Sequence, residues 1–166
     1  MPAAKRRPRR RGWVRARSAD PFDAPLIQTN YLAEEIDRRV VVAGMKLARR
    51  LLRSAPLAPY YDHEDWPGPS VQSDAEFLEA ATQRAQTTFH PGCTCRMGPA
   101  GDPMAVVDDT LKVRGLDGLR VVDASVMPRM ISANLNASTL MIGDKASDMI
   151  RGKAPPEPIL LKAGAI

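Results

Sequence analysis

The sequence of 166 residues predicts an α+β fold in which three helices lie beside short antiparallel strands. Three observations indicate this class. Apolar residues recur at helical spacing in three stretches, and shorter stretches alternate with the period of a strand. In addition, 15 prolines and only 5% aromatic residues indicate that much of the chain forms connections and extended segments. With 44% hydrophobic residues, the chain is long enough to build a core.

Positive charge is concentrated at the amino terminus. Eight Lys and Arg residues precede the first acid, Asp20, so the net charge of +5 becomes −3 once these eight are removed. Residues 1–11 are basic and of low complexity, and two prolines interrupt them, which predicts a disordered arm. Such an arm leaves a nucleic-acid-binding module open as an alternative function. The acidic remainder and the lack of interleaved aromatic residues argue against a nucleic-acid partner.

The first half of the chain predicts one strand and two helices. Residues 13–18 alternate with the period of a strand. Ser73 and Glu76 match a capping box, which predicts a second helix running to about Thr87. Between these segments, apolar residues at spacings of four and three predict an amphipathic helix. Its stripe consists of Leu32, Ile36, Val40, Ala43, Leu47 and Leu51.

The second half predicts a strand pair followed by a final helix. Residues 111–114 and 119–122 surround a glycine-containing turn, and the second of these strands is apolar and ends at Asp123. Apolar residues at helical spacing predict a helix that starts at Asn136 and stops at Gly152. Residues 153–166 are predicted to be a flexible tail.

The two cysteines, Cys93 and Cys95, do not indicate a disulfide framework, because a bridge between positions i and i+2 is geometrically awkward. We therefore expect a reduced, cytoplasmic protein. His90 and these cysteines are too few for a zinc site, and no metal is predicted. No apolar run approaches the ~20 residues of a membrane span, and the amino terminus lacks the apolar stretch of a secretory signal.

Three blocks, residues 90–98, 118–128 and 134–143, together resemble the carboxy-terminal signature of the glucose-methanol-choline oxidoreductases, closest to the choline-dehydrogenase-like branch. The likeness extends over residues 12–152. It implies an FAD-dependent enzyme that oxidises a small alcohol. By this resemblance, residues 12–118 form a partial substrate-binding domain with a catalytic histidine loop. Residues 119–152 supply the last strand and helix of an FAD-binding domain.

The resemblance also implies two catalytic residues, His90 and Asn136. An imidazole titrates near neutral pH and suits a base that takes the hydroxyl proton of an alcohol. An asparagine can donate a hydrogen bond to the substrate oxygen as that oxygen becomes negative. The alternatives are that His90 is an ordinary loop residue and that Asn136 caps the final helix.

The same resemblance implies contacts with the cofactor. Asp123 and Ala124 would meet FAD where the apolar strand ends, although Asp123 could instead satisfy neighbouring amides. Ala137, Ser138 and Thr139 would lie near the flavin, because a helix amino terminus stabilises negative charge. Relatives usually have proline at the position of Ser138, so the backbone is less constrained here.

The sequence contains no Gly-x-Gly, so the glycine-rich turn that cradles a dinucleotide pyrophosphate is absent. The resemblance then implies the distal part of a longer enzyme. Such a part would need an amino-terminal FAD-binding partner or domain for activity. A purely structural partner that completes another flavoprotein subunit is the remaining alternative.

Overall fold

The computed structural model describes residues 8–157 and Ile159, and it confirms the α+β class. The chain divides into two compact units. The first contains the residues up to His90 together with 130–133, and the second contains 91–129 together with the residues from Asn134 onward. The boundary predicted from the sequence lies after residue 118, so the second unit also includes residues 91–118 and with them most of the histidine loop.

A two-stranded antiparallel sheet opens the first unit. Strand β1 (Trp13–Arg15) pairs with β2 (Leu26–Gln28), and Val14 lies opposite Ile27. The predicted first strand is thus confirmed, although it is shorter than residues 13–18. β2 was not predicted, because three residues are too few to display an alternating pattern. Both strands are exposed along their whole length.

Helix α1 spans Glu35–Leu52 and confirms the first predicted helix. It begins after Leu32, whose positive φ of 56° is incompatible with a right-handed helix. Its buried residues are Asp37 and Val42. A 3-10 helix at Ala55–Tyr60 follows it closely.

Helix α2 spans Asp74–Arg84 and packs against α1. The capping box is present: the Ser73 hydroxyl accepts a hydrogen bond from the Glu76 amide (3.3 Å), and the Glu76 carboxylate accepts one from the Ser73 amide (2.8 Å). The helix ends before Thr87 because Ala85 adopts an extended backbone. Its buried residues form much of the first unit's core and are Phe77, Ala80 and Ala81.

Two residues of the predicted disordered arm are held in place. The carboxylate of Asp37 accepts hydrogen bonds from the backbone amides of Arg9 (2.9 and 3.1 Å) and Arg10 (3.0 Å). The Arg10 guanidinium donates to the Thr29 carbonyl and lies 4.1 Å from the Tyr31 ring centroid. For Arg9 and Arg10 the expectation of disorder is corrected, because a buried carboxylate needs these donors. Residues 1–7 of the arm lie outside the described residues.

An ion pair fastens the loop between α1 and α2. Arg49 on α1 forms a bidentate pair with Glu64, with the shortest N–O distance at 2.5 Å. The same guanidinium donates to the carbonyls of Gly68 (3.0 Å) and Val71 (2.6 Å). Arg53 adds a second contact to Glu64 at 3.0 Å. One arginine therefore joins the helix to three points on the loop.

The predicted strand pair is present in the second unit as a short antiparallel pairing. The amide of Val113 donates to the Leu119 carbonyl (3.0 Å), and the amide of Val121 donates to the Leu111 carbonyl (3.1 Å). The two glycines of the connecting turn have φ values of 78° and 74°. Glycine suits both positions because it has no Cβ to oppose a positive φ.

The second unit ends with helix α3, Asn136–Ile150, which confirms the predicted start. Gly152 follows with a φ of 66°, a common way to end a helix. Within the described ranges, no helix is both long and apolar enough to cross a membrane. The predicted tail at 153–166 lies partly outside the described residues. The core of this unit consists of Val107, Leu111, Val126, Met127, Leu135, Ile142 and Ala146.

Candidate functional site

The histidine loop runs beside the 3-10 turn at Ala124–Val126, although the two are far apart in sequence. Every second residue of the loop donates its amide to a carbonyl of the turn. Backbone pairing therefore fixes the loop's path after the histidine. The three bonds are Cys93 to Ala124 (3.3 Å), Cys95 to Ser125 (3.0 Å) and Met97 to Val126 (2.8 Å).

Left-handed backbone conformations flank the predicted catalytic base. Phe89, directly before His90, has a φ of 55°, and Cys93, three residues after it, has a φ of 68°. Non-glycine residues adopt this region at a cost of ~1–2 kcal/mol. Strained residues of this kind cluster at functional sites. Phe89 is also exposed, whereas His90 is half-buried.

The two predicted catalytic residues belong to different units. By its contacts His90 lies in the first unit, and Asn136 lies in the second. Their pairing around one substrate oxygen stays a prediction. The five predicted cofactor contacts, by comparison, all belong to the second unit, where the turn containing Ala124 contacts α3.

Asp123 caps the turn that follows the apolar segment. Its carboxylate accepts a hydrogen bond from the Ser125 amide at 2.7 Å. The structural role that sequence analysis left open for this side chain is therefore present. A contact of Asp123 or Ala124 with a cofactor stays a prediction.

Asn134 forms a local hydrogen bond at the start of α3, whose N-cap residue is Leu135. The side-chain oxygen of Asn134 accepts a hydrogen bond from the amide of Asn136 at 2.9 Å. Asn136 is instead the first helical residue and is exposed. The alternative in which Asn136 caps the helix is thus wrong. Sequence reasoning missed Asn134, although asparagine commonly bonds to its own backbone two residues on.

The first turn of α3 offers amides to an anionic group. The amides of Ala137 and Ser138 have no acceptor within the helix, because the first residues of a helix lack a preceding turn. Thr139 differs, since its amide and its hydroxyl both donate to the Leu135 carbonyl at 2.9 Å. Amides at a helix amino terminus, here on exposed Ala137 and half-buried Ser138, fit the negative edge of a reduced flavin.

Two carboxylates organise the loop that follows the histidine segment. The Met104 amide (2.9 Å) and the Arg96 guanidinium both bond to Asp102 and lower the pKa of that carboxyl. The Thr110 hydroxyl (2.8 Å) and the Lys112 amide (3.0 Å) lower the pKa of Asp108 in the same way. Arg96 is therefore committed to its own loop, a role that the sequence did not indicate.

Both cysteines are half-buried and lie outside any disulfide. Across the described ranges, no three metal-binding side chains gather closely enough to hold an ion.

A profile of the family described as GMC oxidoreductase matches residues 8–143. The oxygen-dependent choline dehydrogenase of Staphylococcus xylosus is 48% identical over 149 residues, which are 89% of this chain and 27% of that protein. The protein of the same name in Staphylococcus aureus strain JH9 is 46% identical over 149 residues and is covered to 26%. The chain thus spans about a quarter of the length of these curated relatives.

Solved structures share the fold. Pyridoxine 4-oxidase from Mesorbium loti superposes with a TM-score of 0.81 and 32% identity, over 90% of this chain and 29% of that one. An FAD-dependent oxidoreductase from Chaetomium thermophilum gives a TM-score of 0.80 and 28% identity, over 88% of this chain and 25% of that one.

Proposed function

The chain belongs to the glucose-methanol-choline oxidoreductase family, and we propose that it supplies the catalytic part of an FAD-dependent enzyme that oxidises alcohols. The observation that carries the proposal is the arrangement of the signature blocks. The histidine loop is bound through its backbone to the turn at Ala124–Val126, and that turn contacts α3. The motifs therefore survive as a connected structure, which a chance resemblance in sequence would not require.

In the proposed reaction, the substrate's CH–OH group loses a proton from oxygen and a hydride from carbon, and a C=O bond forms. His90 takes the hydroxyl proton, since a neutral imidazole is a suitable base near pH 7. Asn136 donates a hydrogen bond to the oxygen while negative charge develops on it. FAD, when bound, supplies the two-electron acceptor for the hydride.

The residues proposed to meet FAD do so mainly through backbone groups. Ala137 and Ser138 offer their amides at the amino end of α3, where the helix dipole favours negative charge. Thr139 has already used both of its donors, so its part is to pack beside the cofactor. Asp123 and Ala124 line the neighbouring turn, whose shape the carboxylate of Asp123 maintains.

Two further components complete the proposal. The first is an amino-terminal FAD-binding partner or domain, because the chain has no Gly-x-Gly turn for the pyrophosphate. The second is a small alcohol as substrate. The relatives named as choline dehydrogenases support an alcohol of this class.

The test is to replace His90 in an assembled enzyme. This chain would be joined to the part of the S. xylosus choline dehydrogenase that it does not match, and alcohol oxidation would be assayed. His90→Ala should lower kcat by ~10²–10⁴-fold, as the loss of a general base does, and leave KM little changed. The control is His63→Ala, which removes an exposed histidine paired with Asp62. Equal rates for the two variants would remove His90 from the mechanism.

A further inference from the structure

One peptide group at the start of α3 is held from both sides. It joins the carbonyl of Leu135 to the amide of Asn136, the residue proposed to bind the substrate oxygen. The Leu135 carbonyl accepts hydrogen bonds from the amide and the hydroxyl of Thr139, both at 2.9 Å. The Asn136 amide donates to the side-chain oxygen of Asn134 at 2.9 Å. Because a peptide group is planar, these three bonds together fix the orientation of one plane.

The bond on the amide side depends on the side chain of Asn134. Asn136 is the first residue of the helix, so its amide has no acceptor in a preceding turn. Asn134 supplies this acceptor, because an asparagine side chain readily accepts from the amide two residues on. Without it the amide bonds to water, and the plane can tilt about its carbonyl side, which Thr139 still holds.

The direction of the Asn136 side chain follows from this plane. Once a peptide plane is fixed, the position of the next Cβ depends only on the φ rotation of that residue, and the helix sets that rotation. Leu135 is 5% exposed and already has helical backbone angles (φ −76°, ψ −17°), so the plane is anchored in the core of the second unit. A tilt of the plane would therefore move the Asn136 side chain.

We propose that Asn134 is a positioning residue for the reaction and sets the direction from which Asn136 donates to the substrate oxygen. The inference rests on the proposed function, in which Asn136 makes that hydrogen bond. A donor stabilises a developing negative charge best when it is already aimed at the oxygen. A misplacement of about 1 Å can lower a rate by ~10²-fold, so the loss of one of the three bonds should reduce kcat.

Turnover is measured in the joined enzyme used to test His90. Asn134→Ala should lower kcat about tenfold and change KM less than about twofold, because the donor is needed as charge develops on the oxygen. Asn134→Ser keeps an uncharged acceptor that can make the same turn, so it should restore kcat to within about threefold of the parent. The control Ser132→Ala, at an exposed position two residues earlier, should change kcat less than about twofold.

A double variant separates positioning from a general structural effect. Asn136→Ala should lower kcat by ~10²–10³-fold, as the loss of a donor to an oxyanion does. Once residue 136 is alanine, adding Asn134→Ala should change kcat less than about twofold, because the group to be positioned is gone. A further tenfold loss in this background would show that Asn134 acts by another route and would overturn the inference.

The hydrogen bond itself is tested by NMR in this chain alone, without FAD or substrate. Asn134→Ala should speed hydrogen exchange at the Asn136 amide about fivefold. Unchanged exchange at this amide overturns the inference. So does an unchanged kcat for Asn134→Ala in an enzyme that Asn136→Ala slows, and this result leaves the proposed function intact. If Asn136→Ala also leaves kcat unchanged, the role of Asn136 in the proposed function fails together with the inference.

Discussion

Replacing Arg49 by methionine should destabilise the first unit. The substitution keeps much of the side-chain volume but removes the bidentate partner of Glu64. Both side chains are nearly buried, with exposed fractions of 12% for Arg49 and 11% for Glu64. The variant therefore leaves a carboxylate with little water around it.

The magnitude follows from what remains around that carboxylate. Removing one partner of a buried pair typically costs ~3–5 kcal/mol. Glu64 keeps Arg53 at 3.0 Å, and Arg53 is itself well exposed, so the lower end applies. The carbonyls of Gly68 and Val71 also lose their donor, although water can reach this loop. We expect a loss of about 3 kcal/mol in the free energy of unfolding, or a fall in Tm of about 6–12 °C at this chain length.

Urea unfolding followed by tryptophan fluorescence measures the effect, because Trp66 lies in the loop that Arg49 holds. The control is Arg50→Met, which removes the neighbouring arginine at an exposed position and should cost under ~0.5 kcal/mol. The double variant Arg49→Met with Glu64→Leu should recover stability, because no buried charge is left unpaired. Equal losses for Arg49→Met and Arg50→Met would refute the reasoning.

Three further predictions concern the cofactor, the amino terminus and pH. The purified chain should not retain FAD after desalting, because it lacks the Gly-x-Gly turn; stoichiometric flavin in the absorption spectrum would contradict this. Asp37→Asn should lower the free energy of unfolding in urea by ~1–3 kcal/mol, because the amides of Arg9 and Arg10 then share one acceptor oxygen instead of two. The control Glu35→Gln should leave it unchanged. The lowered pKa values of Asp102 and Asp108 mean that their contribution to stability is complete above their ordinary value of 3.8. This contribution is lost as the pH falls through the lowered pKa of the folded state. When the free energy of unfolding is measured at a series of acidic pH values, Asp102→Asn should therefore show a weaker dependence on pH than the parent.

Local signals made the helices predictable. The pair Ser73 and Glu76 marks a helix start by mutual hydrogen bonds that need no distant residue, and both bonds are present. The long stripe on α1 predicted a helix correctly for the same reason. Periodicity records that one face is apolar, but it does not record what covers that face. The 44% exposure of Leu47 was therefore out of reach of the sequence.

The site shows a similar division. The link between the histidine loop and the turn consists of backbone bonds such as that from Cys95 to Ser125, and such bonds carry no residue-type signature. At α3, two asparagines stand two positions apart, and either could begin a helix. The helix includes Asn136, its N-cap residue is Leu135, and the side chain of Asn134 accepts a hydrogen bond from the Asn136 amide. A difference of one residue in the position of the helix end therefore decides that Asn136 does not cap the helix.

The three hydrogen bonds that join the histidine loop to the turn do not depend on a thiol group. Cys93 and Cys95 form their bonds to the turn through backbone amides, which remain when the side chains are exchanged. Glycine suits position 93, where φ is 68°, and serine suits position 95. A variant carrying both exchanges has no native thiol, because these are the only cysteines of the chain. A single cysteine placed elsewhere would then accept a fluorophore or spin label at one chosen position, and movements of the protein could be followed from it.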